Sequence, residues 1–252
     1  MKIAVCGDSW MSPSFDKDFI GTHFAELLCK EQDWQLEYYA RPGASNGFIC
    51  LQIEQAIKDK CNIILFGTTT YNRIEYALNG SNSDPAHQWE GCKEINITHV
   101  APPSLTIRHE KNNYELISDN LMNILGYKQN FINYEKYFMN TPDDDIEIKY
   151  KALKDWFTFL YHPAWKQKVD RWCLEATFLK LKNSNIPYVF VIDFVGIPDC
   201  DYIDTPVLGE EYASPKYIAP DASTTYHTSK EIQVKILHLV KERLKEKGIR
   251  LV

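Results

Sequence analysis

The stretch KIAVCGDS at residues 2–9 is a short apolar run that ends in a glycine and two small polar residues. Its apolar residues are typical of a strand buried in a parallel sheet. A strand that leads directly into Gly7-Asp8-Ser9 is either a simple turn or the presentation of a nucleophilic serine at a sheet edge. The rest of the chain decides between these two interpretations.

Strand and helix patterns alternate after this first run. QLEYYA at residues 35–40 predicts a second strand, and NIILFG at residues 62–67 predicts a buried third strand. The helix predicted between them has one apolar face, formed by Ile49, Ile53, Ala56 and Ile57. This alternation predicts an α/β fold with a parallel sheet and right-handed crossovers.

The periodicity weakens at about residues 79–150, a polar stretch rich in Asn and Tyr and broken by prolines. A compact α/β domain does not need so long a connection, so we predict a single domain over residues 1–252 with an insertion after the third strand. The insertion either shapes a substrate cleft or is peripheral. Its acidic run Asp143-Asp144-Asp145 lacks the spacing of a calcium loop and is interpreted as a solvated loop.

Regular patterns return in the last third of the chain. A helix is predicted over residues 164–182, and a buried strand over residues 188–194. The stripe interpreted as the core face of the helix comprises Trp165, Val169, Trp172, Ala176 and Leu179. A last helix is predicted from about Thr228 or Ser229, with its apolar face formed by Ile232, Ile236, Leu239 and Val240.

Composition excludes several classes of protein. A chain of 252 residues that is 44% hydrophobic can bury a substantial core, and its net charge of -6 argues against binding to nucleic acid. No apolar run approaches the roughly 20 residues that cross a bilayer, and the run at residues 3–6 is too short for a signal peptide, so we expect no membrane partner and a cytoplasmic location. The seven cysteines form no CxxC pair, so we expect reduced thiols and no metal site.

Three predicted strand ends carry candidate functional groups. Ser9 follows the first strand, Gly43 the second, and the loop Gly67-Thr68-Thr69-Thr70-Tyr71-Asn72 the third. Ligands of open parallel sheets bind at this edge, and glycine N–H groups with Thr or Asn side chains could form an oxyanion hole there. In the structural alternative, Gly43 and Gly67 belong to turns and Ser45 or Asn46 caps a helix.

The candidate base is His227, just before the last helix, where the chain returns to the same edge of the sheet. Six other histidines compete with it, of which His23 and His238 are interpreted as structural residues of helices. Asp221 is the acidic residue best suited to orient His227.

These residues together resemble the SGNH, or GDSL, hydrolases. Gly7-Asp8-Ser9, Gly43, the third-strand loop and His227 match, in order, the four blocks of that family. The resemblance covers the two ends of the chain but not the insertion. It implies a three-layer, flavodoxin-like parallel sheet with helices on both faces.

The resemblance also implies acyl transfer without a cofactor. Ser9 would be the nucleophile and His227 the general base. The oxyanion hole would combine the N–H groups of Ser9 and Gly43 with the side chain of Asn72 or Thr69. The implied substrate is a small acyl ester, such as an O-acetyl group on a carbohydrate. The insertion and the aromatic segment at residues 156–161 would set its specificity.

Two departures from the family pattern keep other functions open. The third block is usually Gly-x-Asn, whereas here Thr69 stands two residues after Gly67; the acid usually precedes the histidine by three residues, where this chain has Thr224. A catalytically weak or inactive SGNH-fold binding or assembly module is therefore the alternative. A nucleotide-binding domain is less favoured, because the first turn has no GxGxxG pattern.

Overall fold

The computed structural model describes residues 1–13, 20–41, 44–69, 71, 132, 136, 142–192, 195 and 230–251. The strands within these residues are β1 (Lys2–Cys6), β2 (Gln35–Tyr38), β3 (Ile63–Gly67) and β4 (Tyr188–Ile192). The helices are α1 (Phe24–Gln32), α2 (Asn46–Lys58), α3 (Asp143–Phe159), α4 (Pro163–Ser184) and α5 (Lys230–Glu246).

The four strands form one sheet in the order β2-β1-β3-β4, and every neighbouring pair is parallel. In the central pair, Ile3 lies opposite Ile63 and Cys6 opposite Phe66. β2, which follows β1 in the chain, lies on one side of β1, and β3 lies on the other side. The predicted parallel α/β sheet is confirmed, and its topological switch point lies between β1 and β3.

Successive strand residues point to opposite faces of the sheet, and helices cover both faces. Ile3, Val5 and Leu65 pack with residues of α1 and α5 on one face. Ala4 and Phe66 pack with residues of α2 and α4 on the other face. Strands that are buried on both sides explain the continuous apolar runs at residues 2–6 and 63–66.

The predicted core stripe of α4 is wrong. Trp165, Trp172 and Leu179 are 60%, 47% and 61% exposed, and Ala176 is exposed as well. The buried side chains of α4 are instead those of Asp170, Leu174, Thr177, Phe178 and Leu181. Two stripes with helical spacing lie on this helix. The buried stripe has the weaker hydrophobic pattern, because it begins with a carboxylate and includes a threonine.

Asp143-Asp144-Asp145 is solvent-exposed as predicted, but its interpretation as a loop is wrong. These three residues form the first turn of α3, where their carboxylates interact favourably with the positive end of the helix dipole. Ile146 and Tyr150, four residues apart, are buried positions of this helix. Most of the predicted insertion lies outside the described residues.

No helix within the described ranges is both long and apolar enough to cross a membrane.

The exposed and buried stripes of α4 can be separated by mutation. We expect Leu174→Ala, which empties a fully buried site, to lower the free energy of unfolding by about 2–5 kcal/mol. We expect Trp172→Ala, which removes an exposed ring, to change it by less than about 1 kcal/mol. Urea unfolding of both variants measures the difference; equal losses would contradict the orientation of α4.

Candidate active site at the carboxyl ends of β1 and β3

The structure brings two of the candidate site residues together. Ser9 lies three residues beyond the end of β1 and is partly exposed, and Thr69 lies two residues beyond the end of β3. The loops that hold them are joined directly, because the Thr69 hydroxyl donates to the Asp8 carboxylate at 2.9 Å. Ser9 therefore lies beside the switch point, where ligands of open parallel sheets bind.

The other candidates, Gly43, Asn72, Asp221 and His227, lie outside the described residues. Their roles remain predictions.

Gly7 is required by its surroundings. Its φ is +148°, a conformation that L side chains rarely adopt, and a Cβ at this position would lie 2.5 Å from Met11 Cγ and 2.7 Å from Met11 Cβ. Gly67 meets the same side chain, with 3.0 Å to Met11 Cγ from an added Cβ. Met11 is fully buried and fills the space beneath both strand ends.

Asp8 builds the turn that carries Ser9. Its side chain is 1% exposed, and its two oxygens accept hydrogen bonds from the Trp10 N–H at 3.0 Å and from the Thr69 hydroxyl. The Met11 N–H also donates to the Asp8 carbonyl at 3.0 Å. These bonds fix the backbone on both sides of Ser9, so the first two residues of the Gly-Asp-Ser sequence have a structural role.

Both hydrogen-bond donors of Thr69 are engaged. Its hydroxyl donates to Asp8, and its N–H donates to Asn46 Oδ1 at 2.9 Å. A hydroxyl group has a single proton to donate. In this arrangement the Thr69 hydroxyl therefore stabilises the Ser9 turn and is not directed at a ligand.

Sequence analysis missed the two side-chain amides that organise this edge. Asn46 and Gln52 of α2 are both fully buried. Asn46 accepts from the Thr69 N–H and donates to the Thr69 carbonyl at 2.9 Å. Gln52 accepts from the Gly7 N–H at 2.6 Å and donates to the Gly7 carbonyl at 3.1 Å. Each amide thus pairs with both backbone groups of one residue, as a neighbouring strand would.

The signal for these amides was their position on the apolar face of α2. Asn46 shares that face with Ile49 and Ile53, and a polar residue in a buried stripe needs hydrogen-bond partners. Of the two predicted cap residues, Ser45 and Asn46, the structure shows Ser45 as the cap, and its side chain accepts from the Phe48 N–H at 3.2 Å.

A polar chain extends from this edge into α4. Asn46 Nδ2 also donates to Asp170 Oδ2 at 3.2 Å, and Asp170 forms an ion pair with Lys166. Asp170 is 2% exposed, so both the amide and the ammonium group compensate its buried charge. This requirement explains why a carboxylate stands on the buried face of α4.

His23 is the N-cap of α1, on the face of the sheet opposite to α2. It contacts the Ser9 turn through a hydrogen bond with the backbone of Trp10. Its Nδ1 accepts from the Ala25 N–H at 3.4 Å and lies 2.9 Å from the Tyr38 hydroxyl. Complete burial lowers its pKa to about 3, although a backbone hydrogen bond with Trp10 acts in the opposite direction. His23 is therefore a neutral structural residue, as its position in the sequence indicated.

Within the part of the chain that the structure describes, no three His, Cys, Asp or Glu side chains are grouped so as to hold a metal ion.

Comparison with protein-family models finds no matching family, and comparison with curated proteins finds no matching sequence.

We expect the two buried amides to be important for stability. Asn46→Ala removes the partner of both the Thr69 N–H and the Thr69 C=O, which should lower the free energy of unfolding by about 2–4 kcal/mol. Gln52→Ala removes the partner of the Gly7 N–H, whereas the Gly7 C=O keeps its bond from the Arg41 N–H, so the loss should be about 1–3 kcal/mol. Gln55 provides a matched control on the same helix, since its amide donates to the partly exposed Asp59. Gln55→Ala should cost less than about 1 kcal/mol in the same urea titration. Similar costs for all three variants would contradict the role of the buried amides.

His23 should make the protein less stable in acid. Its pKa is about 3 in the folded state and near 6.5 when exposed, so the unfolded chain binds the proton first and stability falls as the pH drops through this window. Between pH 7 and about pH 4.5 the loss attributable to His23 should be about 2–3 kcal/mol. His23→Asn keeps a capping side chain without the titration, so its stability should fall less over this range. Parallel pH profiles for the two proteins would refute this.

Proposed function

We propose that the chain is an SGNH-type serine hydrolase that acts as an esterase on small acyl esters. The observation that carries the proposal is the position of Ser9, partly exposed on a rigid turn at the carboxyl end of β1 and beside the switch point. Gly7, Asp8 and the amide of Gln52 hold that turn. A preorganised serine at a sheet edge is what nucleophilic catalysis requires.

In the proposed reaction, Ser9 Oγ attacks the ester carbonyl while His227 takes the hydroxyl proton. The tetrahedral intermediate collapses, and His227 returns the proton to the departing alcohol. Water then attacks the acyl-enzyme by the same route, which releases the acid and regenerates Ser9. In this scheme Asp221 orients His227.

The oxyanion would be stabilised by the N–H groups of Ser9 and Gly43 and by a side chain from the loop after β3. Because the Thr69 hydroxyl donates to Asp8, we assign this last role to Asn72. Thr69 then acts as a positioning residue that joins the two loops. The acyl group would be short, such as an O-acetyl group, including one carried on a carbohydrate.

The decisive test is Ser9→Ala. We expect the unmodified protein to be labelled by a fluorophosphonate and to hydrolyse p-nitrophenyl acetate, and we expect Ser9→Ala to abolish labelling and reduce turnover by at least about 10³-fold. Ser184→Ala, at the end of α4, is the matched control and should behave like the unmodified protein. The proposal fails if the unmodified protein is inert to both reagents or if labelling survives in Ser9→Ala.

Two further variants test the assigned roles. His227→Gln should reduce turnover nearly as much as Ser9→Ala, and Asn72→Ala should reduce it by about 10²–10³-fold. Full activity of His227→Gln would show that another group acts as the base.

A second candidate function is a non-catalytic binding or assembly module of the same fold. The engagement of both Thr69 donors favours it, because the usual third-block donor is then absent from its expected position. This function predicts no Ser9-dependent hydrolysis in the unmodified protein and ligand binding that survives Ser9→Ala.

A further inference from the structure

The first turns of α4 project beyond the sheet on the side of Ser9. Asp170 contacts Asn46, the first residue of α2, and α2 begins at the carboxyl edge of the sheet. Asp170 therefore marks the level of this edge along α4. The seven residues of α4 before Asp170 extend past it by about 10 Å, at 1.5 Å per residue.

A pocket of about 200 Å³ lies at this projecting end, where α3 turns into α4. Its wall is built mainly from aromatic and aliphatic side chains, with one lysine and one histidine among them: Trp156, Leu160, Tyr161, His162, Trp165, Lys166 and Val169. Leu160 and Trp165 are more than half exposed. Large apolar side chains gathered around a concave surface are typical of a ligand site.

The chemistry of the wall restricts what the pocket can bind. The positive charge of Lys166 is compensated by its ion pair with the buried Asp170, so it offers little attraction to an anion. Nδ1 of His162 accepts from the Trp165 N–H at 3.3 Å, and the other side chains of the wall offer mainly apolar surface. A polar ring such as a sugar would lose hydrogen bonds to water against them. An apolar cavity of about 150 Å³ holds one benzene molecule, so this pocket has room for about one six-membered ring.

We propose that this pocket binds an uncharged aromatic ring or an apolar group of similar size. In the proposed esterase, this pocket is the subsite for the part of the substrate that is remote from the ester. That role rests on the function proposed above, whereas the binding of the ring does not.

The pocket is also connected to the Ser9 turn. Lys166 binds Asp170, Asp170 binds Asn46, and Asn46 binds the backbone of Thr69. Thr69 in turn binds Asp8, next to Ser9. The pocket wall and the Ser9 turn are thus joined by one series of hydrogen bonds and an ion pair.

The binding test uses benzyl alcohol and the full chain carrying Ser9→Ala, so that no reaction intervenes. The six tryptophan indole N–H signals are followed by ¹⁵N NMR and assigned by single Trp→Phe substitutions. We expect saturable shifts of the Trp156 and Trp165 signals and none of Trp34, which packs in the core on the other face of the sheet. Trp165→Ala should weaken binding by about tenfold or more, while the control Leu179→Ala, which removes an exposed side chain of α4 outside the pocket wall, should stay within about twofold.

The probe series separates the possible chemistries. Methyl β-glucopyranoside, a polar ring of the same size, and benzoate, an anionic ring, should both bind more weakly than benzyl alcohol. Tighter binding of the glycoside or of benzoate would overturn the proposed ligand class, and so would the absence of saturable binding by benzyl alcohol.

The subsite role is tested on the protein with Ser9 intact. The ratio of kcat/KM for benzyl acetate to that for ethyl acetate should fall about tenfold in Trp165→Ala and stay unchanged in Leu179→Ala. An unchanged ratio in Trp165→Ala would overturn the subsite role. If the proposed function is wrong but the pocket binds the ring, neither ester is hydrolysed and benzyl alcohol still shifts the Trp165 signal.

Discussion

The candidate site depends on the pairing of two buried side-chain amides with the backbone at the ends of β1 and β3. The ladder between these strands ends at Cys6 and Phe66, and beyond it Gly7 and Thr69 present N–H and C=O groups inside the protein. Gln52 and Asn46 satisfy them, and both amides come from the same helix. Side chains of α2 therefore hold both loops at the switch point. They provide hydrogen-bond partners for the backbone groups of Gly7 and Thr69 at the point where the two loops diverge.

Much of the fold could be predicted from the sequence, because parallel strands that are buried on both faces consist of continuous apolar runs. The runs at residues 2–6, 63–66 and 188–192 are all strands of the sheet, and the predicted apolar faces of α2 and α5 pack in the core, with Ile57 and Leu239 partly buried. The orientation of α4 did not follow. Its exposed stripe contains two tryptophans, whereas its buried stripe begins with Asp170, and hydrophobicity alone ranks the first above the second.

The candidate site was predictable to the extent that it depends on strand ends. Parallel topology brings Ser9 and the loop after β3 to one edge, and the contact between Asp8 and Thr69 agrees with that expectation. The engagement of Thr69 and the role of Asn46 were not predictable, because periodicity identifies which face of a helix is buried but not which backbone groups its polar residues meet. Those partners depend on loop geometry, which only the folded chain defines.

Gly7, Gly67 and Met11 share one space. The methionine side chain fills the volume that a Cβ on either glycine would need, so a larger residue at position 67 requires a smaller one at position 11. The φ of +148° requires glycine at position 7 in any case, so sequences that adopt this strand-end geometry should keep Gly7 and vary at positions 11 and 67 together. A search for distant relatives should weigh the triplet as a unit, since it links the first turn to the end of β3 independently of any catalytic residue.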